Sequence, residues 1–235
     1  MRKVLALGLA ASIGLGSWGA HAQLPRPPLR PDAPDALMNA VTSEVIAVLR
    51  QDLAAGQATN VAQLVETRIL PLFDFQHMTR MAVARNWRLA SAEQQAALVA
   101  QFRTLLVRTY SSALSSYRDQ NIEYKPVRLA PGETDVLVRS AVRRRGEETL
   151  TIDYDMENTA AGWKVYDVKV AGVSLVITYR DSFAATVRDG GIDGLVKSLS
   201  DKNQQNDSRP KAPGPQTRLA PALVIYSSWM RAPKE

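Results

Sequence analysis

His77 sits beside Met78 and two residues after Phe75, and the chain's one other histidine is His21 near the start. A general base needs an orienting partner and a metal needs several ligands, so a lone imidazole is expected to be structural. Asp153, Asp155 and Glu157 alternate as at the opening of a calcium loop, but Asn158 occupies the position where the sharp turn requires glycine. That alternation fits a solvated strand face better, with Arg139, Arg143 and Lys169 on neighbouring strands as partners. Between Gly191 and Ser198 a glycine, a lysine and a serine follow the order of a phosphate loop, yet Gly194 is not directly followed by lysine. Arg143-Arg144-Arg145 marks a basic hairpin tip, read as a soluble turn or as a head-group or partner contact. With no cysteine in 235 residues, thiol nucleophiles, thiolate metal sites and disulfides are excluded. Asp74 and Asp167, each flanked by apolar residues on both sides, are the carboxylates a pocket enzyme would use, and a strongly raised pKa would be their sign. No nucleophile elbow, zinc helix or dinucleotide fingerprint is present, so the residues give no positive sign of an enzyme, a metal centre or a cofactor.

The elements that must position these residues begin after an export signal. Met1-Arg2-Lys3 is a short basic start, Val4 to Ala20 is apolar, and Ala20-His21-Ala22 has the small-x-small form cut by signal peptidase. Residues 1–22 are therefore expected to be a signal peptide cleaved after Ala22, leaving a periplasmic chain. An uncleaved anchor is disfavoured because the run is short for a span and holds Gly8, Gly14, Gly16 and Gly19. Loss of Arg2 and Lys3 lowers the formal charge from +6 to +4, a mild excess that is no nucleic-acid signature.

Residues 23–34 read as a Pro-rich linker and 35–202 as one domain. Asp35 opens a helix with Leu37, Val41, Val45, Val48 and Leu49 at helical spacing, and a second helix is expected from Val61 to Leu70, ending at Pro71. Phe73 to Trp87 reads as one or two short helices. Ser91-Ala92-Glu93-Gln94 is a capping box opening the longest helix, whose apolar side carries Leu98, Phe102, Leu105, Leu106, Thr109, Ala113, Leu114 and Tyr117. From Ile122 the period becomes two. Ile122–Leu129, Val136–Arg143, Thr149–Glu157 and Trp163–Val170 are expected as four strands of an antiparallel meander. Leu150, Ile152, Tyr154 and Met156 face one way, and Tyr166, Val168 and Val170 repeat that apolar face, leaving the other face wet. A helix from about Thr178 to Arg188, broken at Gly190-Gly191, and a short helix from Ile192 to Leu199 close an α+β domain. Residues 203–235 read as a Pro-rich, disordered tail.

Two stretches are specific beyond patterning. Phe73-Asp74-Phe75-Gln76-His77-Met78-Thr79-Arg80 continues to Arg85-Asn86-Trp87 and is followed by Phe102-Arg103-Thr104-Leu105-Leu106-Val107-Arg108-Thr109-Tyr110. Trp163-Lys164-Val165-Tyr166-Asp167-Val168 precedes Gly172-Val173-Ser174-Leu175-Val176 and Thr178-Tyr179-Arg180-Asp181-Ser182-Phe183. From roughly Asp35 to Leu199 the chain resembles the MlaC family, the periplasmic component of a phospholipid transport system, also called the toluene-tolerance auxiliary family.

The resemblance implies an NTF2-like or cystatin-like fold, with helices on one face of a four-stranded antiparallel sheet and an apolar cavity between the layers. It also implies a carrier that exchanges phospholipid between an outer-membrane lipoprotein complex and an inner-membrane ABC transporter carrying a lipid-binding ring domain. Phospholipid is the cargo, and no cofactor is implied. By stripe and sheet face, Phe102, Leu106, Tyr110, Leu114, Ile152, Tyr154, Tyr166, Val168, Val173, Leu175 and Phe183 are the candidates to touch acyl tails. Plain core packing is the alternative for each, and the stronger one for the non-aromatic residues. Arg80, Arg85 and Arg108 are candidates for phosphate or partner contact, with surface ion pairing as the alternative. Two other functions stay open: a periplasmic protein-interaction module with a solid core, and an enzyme on the same scaffold.

Overall fold

The computed structural model describes residues 33–56, 61–115, 121–143 and 148–208, with the backbone alone at 53, 111–115 and 206–208. Helix α1, Pro34–Ala54, starts on a proline, whose fixed φ and missing N–H suit a first helical position. The second helical stretch begins as α2, Val61–Leu64, and continues through a π turn, Val65–Ile69, and a 3-10 turn, Leu70–Leu72. It therefore outruns the expected stop and carries Pro71 inside the last turn. Asp74 then caps α3, Phe75–Val83, by accepting the His77 N–H at 2.8 Å. A 3-10 helix spans Ala84–Leu89. The capping box forms as expected: the Ser91 N–H donates to Gln94 Oε1 and the Gln94 N–H to Ser91 Oγ, at the start of α4, Ala92–Ser115.

The sheet has five strands, not four. They are β1 (Asn121–Tyr124), β2 (Asp135–Arg143), β3 (Leu150–Thr159), β4 (Gly162–Val170) and β5 (Val173–Ser174). They follow chain order, each antiparallel to the next. The extra strand is two residues long, too short to carry a period. It folds back through a tight turn at Ala171 (φ 49°) and Gly172 (φ 81°), both left-handed. At the other edge β1 stops at Tyr124, well before Leu129. The basic hairpin tip falls largely on Arg144 and Arg145, outside the described residues.

Register sorts the faces. Met156 pairs with Val165 and Tyr154 with Val168, so β4 has one extra residue between them, a bulge at Tyr166-Asp167 opposite Asp155. That slip keeps Trp163, Val165, Val168 and Val170 on the apolar side and turns Tyr166 to the other. The sequence pattern had placed Tyr166 with Val168 because strict alternation assumes an unbroken strand.

Two separate apolar cores result. One lies between the sheet and α1, with Leu37, Met38, Val136, Val138, Met156, Trp163 and Val165 buried. The other is made by helices: Met78 and Ala82 of α3, Leu98, Phe102 and Leu106 of α4, and Phe183, Leu195 and Leu199 of α5. Phe73 packs against both. Helix α5, Arg180–Ser208, breaks at Gly191 (φ 67°, ψ −170°), which only glycine adopts without strain. It runs past Lys202 to Ser208, and buried Asn203 explains why: its Nδ2 donates to Gln101 of α4 at 3.0 Å (O) and 2.8 Å (Oε1), and its carbonyl accepts from Arg108. Among the described residues no helix is long and apolar enough to cross a membrane.

Candidate functional site

The apolar face of the sheet is covered unevenly. Near the Trp163 end Val136, Val138, Met156 and Val165 are buried under α1 and the Phe73 segment. At the opposite end Ile122, Val142, Leu150, Ile152 and Val170 share that face by register, belong to neither core and are only half-buried. A fully buried aliphatic side chain contributes about 1.5–3 kcal/mol, so a strip of five half-covered ones leaves several kcal/mol of hydrophobic stabilisation unused. That makes the strip the candidate ligand or partner surface.

The residues chosen from the sequence divide over this arrangement. Ile152 lies in the strip, and Tyr154 and Val168 stand at its border with the sheet core. Phe102, Leu106 and Phe183 are instead inside the helical core, with Phe102 edge-on to Phe183 (5.3 Å) and to Tyr179 (5.1 Å). Tyr110 packs against that core, hydrogen-bonded to Tyr179, and burial pushes both phenols up. Leu175 is half-buried, Val173 is 46% exposed on the edge strand, and Leu114 lies where the backbone alone is described. Arg80 and Arg85 are exposed on consecutive elements, whereas Arg108 is tied across to α5 through the Asn203 carbonyl.

Tyr154 has a polar task as well. Its hydroxyl is hydrogen-bonded with Tyr124 and Ser140, and burial raises its pKa well above the ordinary phenol value. Tyr124 in turn meets Thr42 of α1 at 2.7 Å, so this network fastens α1 to the sheet.

On the polar face stands a group that spacing did not reveal. Tyr166 stacks on the His77 ring at 4.4 Å and 15°, and its hydroxyl donates to Asp135 at 2.9 Å. Burial first and the Asp135 carboxylate second push this phenol up. His77 Nδ1 lies 2.8 Å from Glu157 Oε1, eighty residues along the chain. Only the third dimension brings these together, and the sequence offered just the lone histidine.

The two carboxylates a pocket enzyme would use both have structural tasks. Asp74 caps α3 and donates its own N–H to Val165 O at 2.9 Å, pinning the helix start to β4. Asp167 is buried and accepts from the Val168 N–H (2.8 Å), Ser174 Oγ (2.5 Å) and the Val176 N–H (3.2 Å). Burial raises its pKa, and those donors oppose the rise. A depression of about 250 Å³ opens instead at the β1–β2 edge, lined by Lys125, Pro126, Arg128, Glu133, Val136 and Arg139. It is rimmed by charge, and none of the candidate tail-contacting residues lines it.

Comparison with known proteins places this arrangement. The family model described as MlaC protein matches residues 39–201. The toluene tolerance protein ttg2D of Pseudomonas putida is 26% identical over 152 residues, covering 61% of this chain and 70% of that protein. The intermembrane phospholipid transport system binding protein MlaC of Haemophilus influenzae is 24% identical over 150 residues, 63% of this chain and 68% of that one. Among solved structures, the phospholipid-binding protein of Ralstonia solanacearum, in complex with a phospholipid, is 39% identical. It superposes with a TM-score of 0.67 over 76% of this chain and 100% of its own.

Proposed function

The chain belongs to the MlaC family, and on that premise we propose that it is a periplasmic phospholipid carrier without enzymatic activity. The observation that carries this reading is the half-covered apolar strip Ile122, Val142, Leu150, Ile152 and Val170, which belongs to neither of the two finished cores. Acyl tails enter against that strip and against Tyr154 and Val168, and the head group stays at the mouth. The phospholipid bound by the Ralstonia relative supports this cargo. Among the candidate residues, those in the helical core stand behind the wall and stiffen it.

Energetics explain why such a carrier must enclose its cargo. Each methylene withdrawn from a bilayer into water costs about 0.8 kcal/mol, so two long acyl chains cost well over 10 kcal/mol unless an apolar wall replaces the bilayer. Lipid held that firmly leaves when a partner favours an opened conformation. Those partners are an outer-membrane lipoprotein complex on one side and, on the other, an inner-membrane ABC transporter with a lipid-binding ring domain. In this reading residues 1–22 direct export with cleavage after Ala22, 23–34 link, 35–202 together with the end of α5 to Ser208 form the lipid-binding domain, and the remainder of 203–235 is a tail.

Native mass spectrometry of protein purified without detergent, followed by solvent extraction of the same sample, tests the proposal. A near-stoichiometric phospholipid adduct that disappears on extraction is the expected result. Protein that stays empty after incubation with excess phospholipid vesicles overturns it in favour of a solid-core interaction module.

A further inference from the structure

Three unlike ligating groups meet on the polar side of the sheet, away from the apolar strip. Asp74 comes from the cap of α3, His77 from its first turn and Glu157 from β3, and one ligand atom from each lies within 4.8 Å of the others. We propose that Asp74, His77 and Glu157 bind one divalent transition-metal cation of the zinc type.

The geometry is held in place before any ion arrives. The His77 ring is fixed by its stack on Tyr166, itself anchored by the hydroxyl's bonds to both Asp135 oxygens. Asp74 is fixed through its Oδ1 to the His77 N–H, which leaves Oδ2 uncommitted by that bond. His77 Nδ1 and Glu157 Oε1 stand 2.8 Å apart, a separation that two ligands of one small cation can share. Outer partners that orient the liganding groups are the usual support of a metal site.

Charge gives the second, independent reason. His77 and Glu157 are largely shielded, with side chains 18% and 28% exposed. Among the described residues no lysine or arginine pairs with Asp74 or Glu157. Two lysines of β4 are committed elsewhere: Lys164, opposite Glu157 in register, donates to the Pro71 carbonyl at 2.5 Å, and Lys169 pairs with Asp155 at 2.7 Å. Two half-buried carboxylates thus stand at one histidine, Glu157 on its Nδ1 and Asp74 on its backbone N–H, and a dication would balance them. One nitrogen and two carboxylate oxygens, completed by a solvent water, suit a four-coordinate zinc-type ion. Magnesium demands near-octahedral oxygen and dehydrates reluctantly, so it fits poorly. Because α3 and β3 both supply ligands, the ion would rivet the helix start to the sheet.

The test is calorimetric titration of untagged, chelator-treated full-length protein with zinc chloride alone, with magnesium chloride as the contrast. The expected result is one saturable zinc site that magnesium does not fill at the same concentration. His77→Gln or Glu157→Gln should weaken it about tenfold or more, at least the loss seen when an outer partner is removed. In the unaltered protein the His77 ring nitrogens should shift on zinc addition in a long-range proton–nitrogen spectrum, a readout that needs no variant to fold. No saturable binding tighter than about 1 mM, unmoved His77 nitrogens, or undiminished affinity in folded variants would each overturn the proposal.

Discussion

Truncating Phe102 to alanine separates core from cavity wall. The ring is fully buried and meets Phe183 and Tyr179 edge-on at 5.3 and 5.1 Å, with Leu98, Leu106 and Leu195 in the same cluster. Phe→Ala in such surroundings costs about 3–5 kcal/mol, because the ring's transfer energy is lost and the rigid neighbours cannot close the gap. For a domain of this size each kcal/mol lowers the melting temperature by about 2–4 °C, so delipidated Phe102→Ala should melt roughly 6–20 °C below the parent. Far-UV circular dichroism of extracted protein measures that shift, and native mass spectrometry of unextracted protein below its transition measures lipid content. Since the ring belongs to the helical core, the folded variant should keep its phospholipid. The reasoning fails if the delipidated midpoint hardly moves while bound lipid is lost, for then Phe102 touches tails instead of packing the core.

Other consequences follow from the same geometry. Ile152→Asp places a carboxylate on the half-buried strip, where it stays wet without lipid but must be desolvated against tails. A penalty of about 2–3 kcal/mol weakens lipid retention roughly 30–150-fold in competition with vesicles, and unchanged retention would remove Ile152 from the site. Asp167→Ala strips the acceptor from the Val168 and Val176 N–H groups and should destabilise by about 2–4 kcal/mol in denaturant titration, whereas an unmoved midpoint would deny it that structural role. Burial lowers the Lys202 ammonium to about 8 in the folded state, so between that pH and about 10 the unfolded chain holds more protons and stability rises with pH. Above the ordinary tyrosine value the slope reverses, because Tyr154 and Tyr179 ionise only in the unfolded chain. Denaturant midpoints from pH 7 to 11 trace this rise and fall; Lys202→Met should flatten the rise, and a falling midpoint between pH 8 and 10 would refute the assignment.

Much of this protein was already determined by local sequence. The capping box at Ser91, the three longer period-two segments, the turn at Pro131-Gly132 and the break at Gly190-Gly191 each depend on neighbouring residues alone, and each forms where the pattern put it. The motifs around Phe73 and Trp163 were enough for the family. Tertiary structure decided the rest, because it concerns residues far apart in the chain. One bulged residue in β4 reversed Tyr166, an outcome that alternation cannot encode since a single insertion exchanges the faces. Helical periodicity marked Phe102 and Leu106 as apolar-facing, but whether that face meets another helix or an open strip depends on where α5 lies. The meeting of His77 with Glu157 and Tyr166 required the docking of α3 on β4, which is set by backbone pairing at Phe73 and Asp74. Local chemistry thus chose the elements, and packing chose which of their side chains are buried, which stay half-covered and which meet.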